Sequence, residues 1–272
     1  MRLDQALVER GLAPSRSVAA RLIASGAVHV EGFAVVRAAT EVGPESSLRL
    51  EHSPENRFVS RAGAKLDGLL ANRRDLVVAG YWVDFGQGTG GFSDCLLRRG
   101  AARVLGIEVG HGQLHPSLRK DPRVRCVEGV NVRDLQRSIT TAQLDPAWPC
   151  SGASGVVIDL SFIGLEHALE PAKRVLAEGA WLVALIKPQF ELGCDSSERS
   201  KALRRGVVRD SSVYPRIFAR IAQSLERLGL PFDADKDLHE SCLPGQEGNR
   251  EFFIVARKPG PERNASANPP EF

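Results

Sequence analysis

The sequence predicts an α/β fold: a doubly wound, seven-stranded, Rossmann-like sheet with an antiparallel final strand, preceded by a small α+β domain. Three observations lead there. From residue 61 onward, apolar strand-like runs alternate with amphipathic helices, the pattern of right-handed βαβ crossovers. The stretch "WVDFGQGTGG" (residues 82–91) sets Gly86, Gly88 and Gly91 in the G-x-G-x-x-G spacing that lets a backbone approach a ligand at a strand end. Residues 1–58 follow a different periodicity and read as a separate unit.

In that unit, "LDQALVER" places apolar residues at 3, 6 and 7, a helical spacing, with Gly11 set to cap it. Pro14 and Ser15 open a second helix, "SRSVAARLIASG", with Ser15 as N-cap and Gly26 beyond its end. "AVHV" and "FAVV" flank the two-residue turn Glu31-Gly32, and "SSLRLE" is a third short strand. This arrangement puts Arg16 and Arg21 on the exposed side of the second helix. The seven arginines of residues 1–58 balance seven acidic residues, so charge alone does not point to RNA there.

A helix at "AGAKLDGLLANRR" opens the larger domain. The predicted strands are 81–85, 102–107, 123–127, 155–159, 180–186, 231–238 and 250–257, with clear helices at 166–177 and 211–228. Only the loop "HESCLPGQEGN" separates the last two strands, too short for a helical crossover, so they should pair antiparallel. Residues 194–206, without apolar periodicity, read as a mobile basic loop, and 259–272, rich in Pro and Asn, as a disordered tail.

Composition narrows the function classes. The 272 residues are 43% hydrophobic and 25% charged, which is ordinary for a globular chain. Net charge is +3, with 36 Lys and Arg, compatible with a polyanion partner. Five widely spaced cysteines (95, 126, 150, 194, 242) form no C-x-x-C pair, which argues against a disulfide framework or zinc site and for a reducing cytoplasm. "MRLDQALVER" is too charged for a signal peptide. The longest apolar runs fall well short of the ~20 residues a membrane helix needs, so no membrane association is expected.

The glycine spacing alone does not distinguish a dinucleotide from another adenosine cofactor. Asp84 does. An acidic residue at the end of the first strand would repel a pyrophosphate and suits S-adenosylmethionine, which carries a sulfonium and an ammonium but no phosphate. Glu108, at the end of the next strand, has the chemistry to accept ribose hydroxyls for either ligand. Further along, "VVIDLSFIGL" ends the fourth strand at Asp159 and "LVALIKPQFE" ends the fifth at Lys187. Lys65, before the first strand, and Glu251, in "GNREFFIVAR", can complete a Lys-Asp-Lys-Glu cluster. Such a cluster suits methylation of a hydroxyl, whose proton must leave as the oxygen attacks. A lysine at its ordinary pKa of ~10.4 is a poor base, and burial or a second cation lowers that value. Asp159 would position Lys187 or oppose the sulfonium, and Glu251 would orient Lys65 or the ribose.

"RLDQALVERGLAPSRSVAARLIASGAVHVEG" resembles the small RNA-binding domain named after ribosomal protein S-four, through Leu3, Asp4, Ser15, Arg16, Ala20, Leu22, Ile23, Gly26, Val28, Val30 and Gly32. From residue 2 to about 257 the chain resembles the TlyA-type ribosomal RNA methyltransferases, some labelled haemolysins, which join that domain to an FtsJ-like methyltransferase. The stretches "VSRAGAKL", "GTGGFSDCLLRRGAARV", "GQL", "NVRDL", "DLSFI", "KPQFELG", "GVVRD" and "LPGQEGNREFF" carry the likeness. It departs at Gln87 and Gly88, where the family has a small residue and serine. It departs again at Glu108, where aspartate is frequent, and at His115-Pro116, near which a tryptophan is missing. The resemblance implies domains at 1–58 and 59–258, and a catalytic tetrad of Lys65, Asp159, Lys187 and Glu251. It implies S-adenosylmethionine contacts from Asp84, Gly86, Gly88, Thr89, Gly90, Gly91, Phe92, Glu108, Asn131 and Asp159, and RNA contacts from Arg2, Ser15, Arg16 and Arg21. No metal and no protein partner are implied. The expected activity is 2′-O-methylation of a ribose, with cytidine implied by the family, in ribosomal RNA or subunits. The rival readings are a non-catalytic RNA-binding assembly factor and a membrane-lytic haemolysin.

Overall fold

The computed structural model describes residues 1–13, 15–24, 26–50, 57–135, 148–149, 151–192 and 202–260. The chain divides into two compact units, residues 1–64 and 65–272. Residues 261–272 of the predicted tail and the first part of the predicted 194–206 loop lie outside the described residues, as do Cys150 and Cys194.

In the smaller unit, helices α1 (Leu3–Glu9) and α2 (Arg16–Ala24) precede strands β1 (Val28–Val30), β2 (Phe33–Ala34) and β3 (Leu48–Leu50). The strands form an antiparallel sheet in the order β2-β1-β3. Leu3, Ala6 and Leu7 of α1 bury against Ala19 and Ile23 of α2 and Val28 of β1, as the spacing predicts. The turn between β1 and β2 needs two left-handed residues, and Glu31 (φ 49°) and Gly32 (φ 85°) supply them. Glu31 has a reason to be there: its Oε1 accepts the Ser47 N–H at 2.8 Å, tying the turn to the approach of β3.

Helix α3 (Arg61–Asn72) leads to β4 (Gly80–Phe85), α4 (Gly91–Arg99), β5 (Ala101–Glu108), α5 (Pro116–Arg119) and β6 (Val124–Glu128). There follow β7 (Ala153–Ile158), α6 (Glu166–Val175), β8 (Leu176–Ile186), α7 (Pro188–Glu191), β9 (Leu203–Arg204) and β10 (Val207–Val208). The chain continues through α8 (Val213–Arg227), α9 (Ala234–Asp237), β11 (Leu238–Glu240) and β12 (Phe252–Arg257). Seven strands form one sheet in the order β11-β12-β8-β7-β4-β5-β6. The central strands are parallel and almost wholly buried, which explains their continuous apolar runs. β12 inserts between β11 and β8, antiparallel to both, as the short last connection requires.

Three predicted elements are corrected. The strand expected at 231–238 is only the three residues of β11. Ahead of it Asp233 accepts the Asp235 N–H at 3.1 Å and Asp237 accepts the Asp233 N–H at 3.0 Å, bonds that fold "DADKD" into the turn α9 instead of a ladder. Within the predicted basic loop, residues 203–208 form the hairpin β9–β10. The helix expected to reach 177 also stops at Val175, because Leu176 already pairs with Ala153 of β7.

Candidate active site

The carboxyl ends of β4, β7 and β8 and the start of β12 meet along one edge of the sheet. Asp159 N–H donates to the Phe85 carbonyl at 3.0 Å, so Asp159 sits beside Gly86. Phe252 lies opposite Ile186, so Glu251 and Lys187 follow at adjoining strand ends.

Asp84 is buried. Its Oδ2 accepts the Ser93 hydroxyl at 2.7 Å, and Ser93 in turn accepts Gln87 Nε2 at 2.7 Å. Its Oδ1 is buried with no partner. Burial above all, reinforced by the negative charges of Asp159 and Glu108, pushes this carboxyl up to about 7. The glycines beside it do different work. A Cβ on Gly86 would stand 2.7 Å from the Asp159 carbonyl, so close strand packing demands glycine there. A Cβ on Gly88 would meet nothing nearer than 3.8 Å: its face is open. Gly90 is held under Leu114 and Leu118, Gly91 begins α4, and Thr89 is exposed. The ring of Phe92 is buried in the core, 6.0 Å from that of Phe253, so any contact it makes with a ligand would come from its backbone. Gln87, one of the departures from the family pattern, packs its amide onto Gly106, where any Cβ would collide with it. The extra bulk is therefore absorbed beneath β5 and not presented at the open face of Gly88.

Glu108 is buried at the end of β5, accepting Gly88 N–H at 2.8 Å through Oε2 and Gly110 N–H at 2.7 Å through Oε1. It thus fixes the glycine loop, with its remaining lone pairs left for a ligand. Asn131, beyond β6, accepts the Arg133 N–H at 3.0 Å and caps the 3₁₀ turn Val132–Asp134.

The four members of the expected tetrad form two ion pairs. Lys65 Nζ donates to Glu251 Oε2 at 2.5 Å across 186 residues of sequence, and both side chains are buried. Lys187 Nζ lies 2.6 Å from Asp159 Oδ1. That contact is off the line of a hydrogen bond, and the amine donates instead to Ser161 Oγ at 3.0 Å. Both amines are mostly buried; the first is bonded to its carboxylate, whereas the second is shared between Asp159 and Ser161. A lysine held this way beside a carboxylate can exchange a proton with a hydroxyl brought to it.

Sequence reasoning missed three features of this rim. Ser161 is the hydroxyl on Lys187. Phe162 stands 89% exposed at φ 67°, its ring 4.9 Å from that of Phe190. An exposed phenyl in a left-handed conformation is costly, and the signal was its place between Asp159 and the helix α6. Glu191 is buried, accepts the Leu165 N–H at 2.8 Å and Arg220 Nη2 at 2.9 Å, and so ties the loop after Asp159 to the turn after Lys187. Burial raises its pKa, opposed by those two donors.

In the smaller unit, Asp4 organises the expected RNA contacts. Arg2 Nε donates to Asp4 Oδ1 at 3.0 Å and Arg16 Nη2 to Oδ2 at 2.8 Å, and these bonds hold the carboxyl down at about 2. Ser15 Oγ accepts the Val18 N–H at 3.4 Å, the N-cap predicted for α2. The side chain of Arg21 lies outside the described residues. Among the described residues no group of three or more candidate metal ligands occurs, and no helix is long and apolar enough to cross a membrane.

The FtsJ-like methyltransferase family model matches residues 58–258, and the S4 domain model residues 1–46. The chain is 38% identical over 256 residues to the 16S/23S rRNA (cytidine-2'-O)-methyltransferase TlyA of Mycobacterium tuberculosis, spanning 94% of this chain and 89% of that one. It is 31% identical to Hemolysin A of Brachyspira hyodysenteriae, over 94% of this chain and 100% of that one. A solved Streptococcus thermophilus structure that carries the label hemolysin superposes with a TM-score of 0.67 at 30% identity, covering 98% of this chain and 92% of that one. The chain belongs to the FtsJ-like methyltransferases, in the TlyA family that joins an S4 domain to the catalytic fold.

Proposed function

We propose that the protein methylates the 2′-hydroxyl of a cytidine ribose in ribosomal RNA, using S-adenosylmethionine, in the cytoplasm where ribosomes are made. The carrying observation is the Lys187–Asp159 pair, at the strand ends beside the acidic glycine loop, in a chain so similar to a cytidine-2'-O-methyltransferase. Two features suit the cofactor: the partnerless buried Oδ1 of Asp84, and the open face of Gly88. Asp84 and the loop to Gly91 would hold it, with Thr89, the backbone of Phe92, Glu108, Asn131 and Asp159. When bound, S-adenosylmethionine supplies an electrophilic methyl group on a positively charged sulfur.

In this reading Lys187 Nζ takes the proton of the ribose hydroxyl. Asp159, at 2.6 Å, compensates the charge the amine then carries, and Ser161 keeps the amine aimed. A positioned base contributes roughly a hundred- to ten-thousand-fold. Lys65, held by Glu251, supplies positive charge beside the oxygen as it becomes nucleophilic. Phe162 offers its exposed ring to the target base, a face on which any base can stack. Residues 1–58 dock the RNA, and residues 59–258 carry the chemistry. Mapping ribose methylation on ribosomal RNA from cells with and without the gene tests the reading: one or more cytidine methylations should disappear, and identical maps would defeat it.

A further inference from the structure

The hairpin β9–β10 carries three arginines that the account so far leaves unused. Arg204 pairs with Val207 in its ladder, Arg205 and Gly206 form the turn, and Arg209 follows β10. All three arginines are exposed, and among the described residues none makes an ion pair or side-chain hydrogen bond. Several other exposed arginines are engaged by acids: Arg98 by Asp94, Arg123 by Asp121, Arg174 by Glu170 and Arg250 by Glu240. Among the described residues the scattered Arg37, Arg49 and Arg74 are not; what sets the hairpin apart is three such side chains within six residues. The acid next in sequence, Asp210, is spent on the Ser212 N–H at 2.9 Å.

The turn itself is informative. Arg205 (φ 53°) and Gly206 (φ 79°) form a two-residue turn with both residues left-handed, where asparagine-glycine is the unstrained choice. The same turn in the smaller unit uses Glu31, whose side chain bonds the neighbouring strand. Among the described residues Arg205 makes no such bond, so nothing there offsets the cost of its left-handed backbone.

The hairpin is also fixed in place. Asn249 is buried; its Oδ1 accepts the Val208 N–H at 2.8 Å and its Nδ2 donates to the Gly206 carbonyl at 2.9 Å. Asn249 is two residues from Glu251, and β10 packs against α7, the turn that begins at Lys187. The arginines therefore stand on a rigid support between the two segments that carry Lys187 and Glu251.

We propose that Arg204, Arg205 and Arg209 form a phosphate clamp that grips the RNA backbone beside the target ribose, with Asn249 locking the clamp to the active-site segments. The proposal rests on the RNA methyltransferase reading. Guanidinium groups suit phosphate oxygens, and three on one anchored hairpin, with no ion pair among the described residues, match the spacing-tolerant charge of a nucleic-acid backbone.

The test uses the full-length protein and ribosomal RNA from cells lacking the gene, measuring RNA affinity against salt, S-adenosylmethionine binding, and the KM and kcat of methylation. Arg204→Glu/Arg205→Glu should weaken RNA binding about tenfold or more and lower the slope of log affinity on log salt by about two, roughly one per lost phosphate contact. KM for RNA should rise while S-adenosylmethionine binding is unchanged. Arg205→Asn relieves the turn, so it should raise the melting temperature slightly while still weakening RNA binding; a loss of affinity there cannot be blamed on misfolding. Wild-type RNA affinity and salt slope in both variants would overturn the clamp while leaving the methyltransferase reading intact. Wild-type protein that neither binds nor methylates ribosomal RNA would overturn both.

Discussion

The two lysine–carboxylate pairs use the same chemistry in different settings. Lys65 and Glu251 are 10% and 3% exposed and, among the described residues, their side chains are bonded to each other; Lys187 and Asp159 are 13% and 18% exposed, and the amine is shared with Ser161. A pair bonded in the first way has met its desolvation cost by mutual bonding and has little freedom to change partners. A pair whose amine is shared off the hydrogen-bond line keeps a donor–acceptor position for a third group. In the proposed reading the first pair supplies fixed positive charge and the second exchanges the proton.

The largest expected effect follows from that assignment. Lys187→Ala should lower kcat by roughly a hundred- to ten-thousand-fold with S-adenosylmethionine binding preserved. A near-wild-type kcat would erase the contrast between the pairs. Lys65→Met should instead destabilise the protein by about 3–5 kcal/mol, since it strands a buried carboxylate. The double variant Lys65→Met/Glu251→Met should regain much of that stability in denaturant titration without regaining activity.

Asp84 adds a buried carboxylate with no cation at all. Its folded-state pKa is raised to about 7 from an ordinary 3.8, so the stability it contributes is complete below about pH 3.8 and is lost as pH climbs through 7. A cationic ligand reverses the preference, so S-adenosylmethionine affinity should rise as pH passes through about 7. Calorimetry on Asp84→Asn should show weaker binding and a flattened pH dependence; an unchanged profile would remove Asp84 from the cofactor site. The smallest effect belongs to the exposed pair of the smaller unit. Arg16→Gln should weaken RNA binding a few-fold, because Asp4 already engages that guanidinium, whereas deleting residues 1–58 should abolish most RNA affinity and spare cofactor binding.

Much of this site was legible because strand ends are legible. Continuous apolar runs marked β4, β7 and β8, and the residue that ended each run, Asp84, Asp159 or Lys187, had to fall on the rim. Partnership was not legible. Nothing local joins Lys65 to Glu251, or Gln87 to the space left by Gly106. The hairpin β9–β10 escaped because strands of two residues show no alternation, and its anchor, Asn249, lies 41 residues beyond Val208. The direction of the Phe92 ring was not legible either, because a position in a glycine motif says where the backbone goes, not where a ring points. The strand expected at 231–238 failed because Asp233 and Asp237 bond their own backbone, a competition that apolar counting does not register.

The pH dependence of single-turnover methylation by Lys187→Arg is the most direct test of the central claim, that Lys187 accepts the ribose proton. Arginine keeps the positive charge and much of the reach but cannot give up its proton at accessible pH. With S-adenosylmethionine binding preserved, the variant should be nearly as inactive as Lys187→Ala at every pH, while the wild-type rate climbs as the amine loses its proton. Substantial activity in the arginine variant, with a wild-type profile, would contradict the account and leave Lys187 a purely electrostatic role.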